Sequence, residues 1–253
     1  MTLKYYHAEP AANSLKSMIP LKEKGLVFES VYVDLHKFEQ HSEWFVKINP
    51  EGQVPVLDHN GTLITHTTVI NEYLEDVFPE IPLRPYDPVG KAKVRYWNKF
   101  VDEHVMNQVS MHGWHRMVGV IARSIESGEF EKLIERIPLP DQRKKWATAR
   151  SGFSEADLAN AIDKIVYACA KVERQLGETA WLAGDMFTTA DINFYAMCGM
   201  MVERMFPELE VADKYPRLVD WRERMNARPG VRAALEMPDH TNPVLRTWTG
   251  EAR

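Results

Sequence analysis

Apolar residues at positions 1–80 come in short runs that alternate with polar turns. Short runs rich in β-branched and aromatic side chains predict strands, and an apolar residue every three or four positions predicts a helix. Asn60-Gly61 between two such runs is a hairpin signal. Pro20 predicts a kink or an early end in the first helix. The predicted elements are a strand at Leu3–His7, a helix from Asn13 or Ser14 to Gly25, strands at 27–33, 54–57 and 63–65, and a helix that begins at Thr67 or Thr68.

Beyond residue 90 the spacing of apolar residues is helical almost to the end of the chain. Closely spaced prolines before it predict a linker at 81–90. We therefore expect two domains, at 1–80 and 91–253. One helical stripe contains Val94, Trp97, Val101 and Val105, and another contains Leu158, Ile162, Ile165, Cys169 and Val172.

Three stretches of the second part differ from these stripes. Thr188 and Asp191 form a capping-box pattern that predicts the start of an apolar helix at 192–201. Residues 132–149 are too charged and proline-broken to assign. The tail at 238–253 has little pattern and predicts either a loose end or a segment draped over the surface.

Composition excludes several function classes. The 253 residues are 45% hydrophobic and 26% charged, with a formal net charge of −5. An acidic chain of this kind is unsuited to binding a phosphate backbone, so no nucleic-acid partner is expected. No apolar run is long enough to span a membrane, and residues 1–7 lack the apolar core of a signal peptide. We expect a cytoplasmic protein in which Cys169 and Cys198 stay reduced.

The turn at 49–57 carries the first chemical signal. Its two prolines and one glycine lead directly into a predicted strand. Pro55 stands where a trans proline would remove a ladder hydrogen bond. A cis Val54–Pro55 bond avoids this and leaves the Val54 main chain free to pair with a peptide-like ligand. An ordinary turn with a trans proline is the alternative.

The order βαβ followed by ββα, with a cis proline before the third strand, is the thioredoxin-like arrangement. An α/β domain of this type followed by an all-α domain resembles the soluble glutathione transferases. Three motifs carry the resemblance in the order typical of that family: NPEGQVPVL at 49–57, WLAGD at 181–185 before the capping box, and WRERM with ARP at 221–229. The resemblance implies glutathione as co-substrate and a homodimer.

A closer resemblance is to one branch, the LigF-like group of bacterial glutathione-dependent β-etherases, which cleave β-aryl ethers of lignin-derived aromatics. The motifs are ANSLK at 12–16, KFEQHS at 37–42, EYLEDVFPE at 72–80, and IPLP, KW and ARSGF between 137 and 153. This resemblance implies that glutathione thiolate attacks the β-carbon of an α-keto aromatic ether and releases a phenol such as guaiacol. It favours the S enantiomer as substrate.

Asn13 and Ser14 are the candidate catalytic residues. A polar donor at a helix N-terminus favours a thiolate, because hydrogen bond and helix dipole both stabilise negative charge. The residues do not distinguish between the two, and simple helix caps are an alternative interpretation of both.

Further residues are assigned to glutathione by the resemblance. Val54 pairs with its cysteinyl backbone beside Pro55 and Gln53. His66 and Thr67 occupy the places that meet the γ-glutamyl end, although the family has an acidic or amide residue where this chain has His66. Gln40 and His41 match positions that meet the glycine carboxylate. Surface roles remain the alternative for His66, Gln40 and His41.

The second substrate needs an apolar pocket with a few polar groups. The candidates lie on or near one face of the first long helix of the second domain, where a stripe of this kind is otherwise simply core: Met106, Asn107, Ser110, Met111 and Trp114. His112 and His115 lack a third ligand at suitable spacing, so no metal is expected. Two other hypotheses stay open: another glutathione chemistry (dehalogenation, isomerisation or peroxide reduction), or a binding module without catalysis.

Overall fold

A four-stranded mixed sheet organises the first part of the chain. The computed structural model describes residues 2–9, 12–199, 206, 209 and 213–237. The strands are β1 (Leu3–His7), β2 (Glu29–Tyr32), β3 (Val56–His59) and β4 (Thr62–Thr65), in the order β2-β1-β3-β4. β2 runs parallel to β1, while β3 is antiparallel to both β1 and β4. All four predicted strands are present. β3 begins at Val56, two residues later than predicted, because Pro55 has no N–H to add to the ladder.

The rest of the described chain is mainly helical. Helices α4 to α6 follow one another almost without a break and are joined by π-helical turns at Val101–Val105 and Trp114–Val118. The helices are α1 (Ala12–Glu23), α2 (Glu43–Val46), α3 (Thr67–Val77), α4 (Pro88–Phe100), α5 (Met106–Gly113), α6 (Gly119–Ser124), α7 (Ser127–Glu135), α8 (Pro140–Ser151), α9 (Glu155–Gln175), α10 (Thr189–Phe194), α11 (Pro216–Ala227) and α12 (Pro229–Leu235).

Helix α1 continues through Pro20 to Glu23, so the early end that was one of the two expectations is wrong. Proline leaves the carbonyl four residues earlier without its helical donor. Here the side-chain amide of Asn71, on α3, donates to the Lys16 carbonyl at 3.1 Å. The helix then closes at Gly25, as predicted. Gly25 has φ +65°, and the Leu26 amide donates to the Leu21 carbonyl in a Schellman motif.

The segment between α3 and α4 is firmly anchored. The Lys24 ammonium pairs with Glu75 at 2.7 Å and donates to the Phe78 and Ile81 carbonyls at 2.8 Å each. Glu75 in turn accepts from the buried amide of Leu83. This proline-rich stretch therefore packs against α1. Pro88, within the predicted linker, already begins α4.

Two helix starts differ in how their caps work. Helix α3 begins after His66, which has φ 64° and makes no side-chain cap bond, so neither Thr67 nor Thr68 caps it. At α10 the predicted capping box is present. Asp191 accepts from the Thr188 amide at 3.0 Å, the Leu182 amide at 2.9 Å and the Trp221 indole at 3.0 Å. This buried carboxylate therefore joins α10 to α11.

The main core runs from the sheet into the helical part. It includes Tyr5, Leu57, Trp97, Ile165 and Trp221, so residues of both predicted apolar stripes contribute to it. A separate cluster of Phe38, Ala122, Phe130, Ile137 and Trp146 lies where α6 and α8 meet the loop after β2. The charged stretch at 132–149, which gave no prediction, includes the end of α7 and most of α8. Residues 200–201 of the predicted helix at 192–201, and the tail at 238–253, lie outside the described residues.

Candidate active site

A cavity of about 250 Å³ opens between the turn before β3 and the start of the helical part. It receives side chains from α1, the 49–55 turn, the start of α3 and the π-helical turn after α4. Its lining is Asn13, Lys16, Asn49, Glu51, Gln53, Val54, Pro55, Thr65, His66, Thr67, Thr68, Asp102 and Met106. Seven residues predicted from the sequence are thus brought together: Asn13, Gln53, Val54, Pro55, His66, Thr67 and Met106.

The turn that forms one wall is held by Asn49. Its side-chain amide donates to the Gln53 carbonyl at 2.7 Å, and its side-chain oxygen accepts from the Glu51 amide at 3.1 Å. The Val54–Pro55 peptide bond is cis, as predicted. No residue in the described part of the chain hydrogen-bonds to the main chain of Val54. Its amide and carbonyl are therefore available to a peptide-like ligand in the cavity.

The structure separates the two candidate catalytic residues. Asn13 is exposed on the cavity wall, in the first turn of α1. Ser14 is only 3% exposed, and its hydroxyl oxygen accepts from the Ala8 amide at 3.0 Å. Tyr5 does not offer its hydroxyl to the cavity, because that buried hydroxyl donates to the Ser14 carbonyl at 2.6 Å. Asn13 is therefore the residue that presents its side chain to the cavity.

Three charged residues of the cavity were not predicted: Lys16, Glu51 and Asp102. The Lys16 ammonium, almost completely buried, pairs with Asp102 at 2.8 Å. Asp102 also accepts from the Thr68 hydroxyl at 2.9 Å. Burial lowers the pKa of Lys16, and the neighbouring Asp102 opposes that shift. Lys16 and Asp102 are 86 positions apart, so no spacing in the sequence indicates the pair.

The chain offers carboxylates close to His66. The His66 imidazole lies 3.6 Å from the Glu51 carboxylate, and both side chains are substantially exposed. Glu51 and Asp102 both line the cavity. The acidic group that the family resemblance leads one to expect at His66 is thus present nearby, on other elements.

Gln40 and His41 are buried behind the turn and do not line the cavity. The His41 ring lies so close to Gly52 that a Cβ there would come within 2.4 Å of Nδ1. Gly52 has φ +62°, so both its conformation and this contact require glycine. Burial, with a contribution from Arg136, lowers the pKa of His41 to about 4.

The predicted residues for the second substrate are only partly assembled. Met106 lines the cavity, 3.9 Å from the Lys16 ammonium. Ser110 and Trp114 follow at one-turn intervals, and both contact Lys145 of α8. Asn107 is exposed and Met111 is half-buried; neither lines the cavity.

The described residues contain no group of three or more His, Cys, Asp and Glu side chains arranged to hold a metal. The His112 imidazole instead lies 3.0 Å from the Leu158 carbonyl, and the His115 ring packs against Phe153. In the part of the chain that the structure describes, no helix has the length and apolarity needed to cross a membrane.

The fold is that of a glutathione transferase. The N-terminal domain family of glutathione S-transferases matches residues 1–76, and the C-terminal domain family matches residues 141–229. The chain belongs to the glutathione S-transferase family.

Within this family, the chain is similar to the protein LigF of Sphingobium sp. strain SYK-6. The two are 44% identical over 93% of this chain and 94% of LigF. The crystal structure of the β-etherase LigF matches 94% of this chain and 100% of its own, with a TM-score of 0.90. More distant relatives include glutathione S-transferase 2 of Saccharomyces cerevisiae, 28% identical over 87% of this chain and 83% of that protein.

Proposed function

We propose that this chain is a glutathione-dependent β-etherase acting on lignin-derived α-keto aromatic ethers. The observation that carries the proposal is the near-full-length similarity to LigF in both sequence and structure. In the proposed reaction the glutathione sulfur forms a bond to the β-carbon, and the bond from that carbon to the aryl oxygen breaks. The electron pair leaves with the oxygen, so the products are a glutathione conjugate and a phenol such as guaiacol.

Glutathione is placed along the 49–55 turn. The unpaired main chain of Val54 would pair with the cysteinyl backbone beside Pro55, and Gln53 adjoins it. Thr67 offers its hydroxyl and the start of α3 to the γ-glutamyl carboxylate. The carboxylates of Glu51 and Asp102 are the groups in the cavity able to pair with the ligand's amino group, with His66 beside Glu51.

The thiolate is placed against the start of α1. The Asn13 side-chain amide faces the cavity, and the helix N-terminus adds its own positive potential. Both favour the ionised sulfur over the thiol. The Ser14 oxygen accepts from the Ala8 amide, and no residue of the described ranges accepts its hydroxyl proton, so we give Ser14 a secondary part in the same role.

Gln40 and His41 support glutathione binding indirectly, through the 49–55 turn. They pack behind Gly52, so their contribution to the glycine end of glutathione is to hold the loop in position.

The aromatic ether is placed along the exposed side of α5. Met106 is nearest to the thiolate, and Asn107, Ser110, Met111 and Trp114 supply the remaining contacts. In this arrangement residues 1–80 form the glutathione-binding domain, 81–90 the linker and 91–253 the substrate domain. We place the protein in the cytoplasm, as a homodimer that functions in lignin degradation.

Chromatography of released guaiacol tests the function directly. Purified protein is incubated with glutathione and a racemic α-keto β-aryl ether that carries a guaiacyl leaving group. We expect guaiacol and an equimolar glutathione conjugate, consumption of one enantiomer (the S form), and inversion at the β-carbon. Reactions without glutathione are the control. Absence of guaiacol would refute the proposal, and calorimetric binding of glutathione in that case would favour a binding module.

A further inference from the structure

A lysine that has no acidic partner among the described residues lies beside the proposed aromatic pocket. Lys145, on α8, is half-buried, and none of the described residues places a carboxylate within ion-pair distance of it. Its ammonium donates to the Ser110 hydroxyl at 2.7 Å and lies 4.5 Å from the centroid of the Trp114 ring. Burial alone lowers the pKa of Lys145 to about 8. A buried cation without an anion is costly for stability, which makes it a candidate for binding one from a ligand.

The Ser110 hydroxyl that accepts from this lysine lies on the same helix as one residue of the cavity, Met106. Met106, Ser110 and Trp114 follow at intervals of four residues and so share one side of the helix. Met106 lines the cavity beside Asn13. Ser110, with the Lys145 ammonium on it, is about 6 Å further along the helix axis. The residue that holds the ammonium is therefore one helical turn beyond Met106, which lines the cavity.

The surroundings of the ammonium are aromatic. Trp146, next to Lys145 in the chain, packs against Trp114 with ring centroids 5.2 Å apart and against Phe38 at 4.4 Å. Trp146 and Phe38 are themselves buried, so Trp114 is the ring of this group that a ligand beside the ammonium can contact. A cation, a hydroxyl and an indole ring suit a ligand that is itself aromatic and carries a negatively charged oxygen. A phenolate has that chemistry.

We propose that Lys145 and Ser110 bind the phenolate oxygen of the ketone-bearing ring of the ether substrate. This inference rests on the proposed β-etherase function. A para ketone withdraws electrons from the ring and so makes that phenol ionise more readily. Standard bond lengths place this oxygen roughly 7 Å from the β-carbon. With the β-carbon beside Met106, as proposed above, the oxygen reaches Ser110, which is about 6 Å further along the helix axis. The enzyme therefore selects ethers whose ketone ring has a free phenol over those in which that oxygen is alkylated.

A matched pair of substrates tests the selectivity. Two α-keto β-aryl ethers differ only in a 4-hydroxyl or a 4-methoxyl on the ketone ring, and kcat and KM for guaiacol release are measured for each. The variants are Lys145→Met, Lys145→Arg and, as control, Lys144→Met, which removes an exposed ammonium from the same helix. We expect Lys145→Met to raise KM for the hydroxyl substrate by about tenfold to a hundredfold. The KM for the methoxyl substrate stays unchanged, and Lys145→Arg keeps part of the preference.

A spectroscopic measurement separates this inference from the etherase activity. 4-Hydroxyacetophenone absorbs at longer wavelength as the phenolate, so its spectrum in the presence of excess protein reports ionisation in the site. Wild-type protein should increase the phenolate band, and Lys145→Met should abolish the increase. This result without guaiacol release would refute the proposed function and keep the phenolate site. The inference would be overturned if Lys145→Met changed KM equally for both substrates, or if the variant still increased the phenolate band. Either result would show that Lys145 only stabilises the packing of α8 against α5.

Discussion

Replacing Asn13 with alanine removes the side-chain amide that the structure places on the cavity wall at the start of α1. Asn13 is exposed, so this change should leave folding nearly intact. A hydrogen bond to a charged group contributes about 1.5–3 kcal/mol. Since one pKa unit corresponds to 1.36 kcal/mol, losing the bond should raise the pKa of the bound glutathione thiol by roughly 1–2 units.

The pH profile of kcat/KM for guaiacol release measures this shift. The activity rises with pH as the thiol ionises, so a higher pKa moves the acid limb of the profile to higher pH. At neutral pH we expect Asn13→Ala to be about tenfold to a hundredfold slower, with the two profiles converging at high pH. The thiolate absorbance of the glutathione complex should shift in parallel.

Ser14→Ala is the comparison. It leaves the buried Ala8 amide without its acceptor, at a cost of about 1–3 kcal/mol in the free energy of unfolding. Its acid limb should move less than that of Asn13→Ala. An acid limb that stays in place in Asn13→Ala and moves in Ser14→Ala would refute the assignment of Asn13 as the main thiolate donor.

Three stability predictions concern residues behind the site. His41 has its pKa lowered from 6.5 to about 4, so between these two pH values the unfolded chain binds more protons than the folded chain. The free energy of unfolding should therefore fall by roughly 2 kcal/mol from pH 6.5 to 4, and His41→Gln should flatten that slope in urea titrations. Asn71→Leu should cost about 1–3 kcal/mol, and less in a Pro20→Ala background, where a helical N–H again serves the Lys16 carbonyl; equal costs in both backgrounds would contradict this account. Asp191→Ala leaves several buried donors without an acceptor, so it should lower the free energy of unfolding by at least about 3 kcal/mol in thermal unfolding. A decrease below about 1 kcal/mol would show that these hydrogen bonds contribute little to stability.

Parts of the site were predictable because their signals lie within a few consecutive residues. A proline at the entry of a strand predicted the cis bond at Val54–Pro55. The turn from Asn49 to Gln53 is stabilised by the side chain of its own first residue, Asn49. The capping box of Thr188 and Asp191 is equally local. The strands and helical stripes followed from local runs, turn residues and periodicity, although β3 begins two residues later than predicted.

What only the tertiary structure decided are contacts between distant positions. Lys16 pairs with Asp102, which is 86 positions away in the sequence. Asn71 donates to the Lys16 carbonyl over a separation of 55 positions, and Lys145 donates to Ser110 over a separation of 35. Periodicity tells which side of a helix is buried, but not which residue of another element will face it. The different surroundings of Asn13 and Ser14 arise in the same way: both stand at a helix start, but the packing of α1 against Ala8 buries Ser14 and leaves Asn13 on the cavity wall.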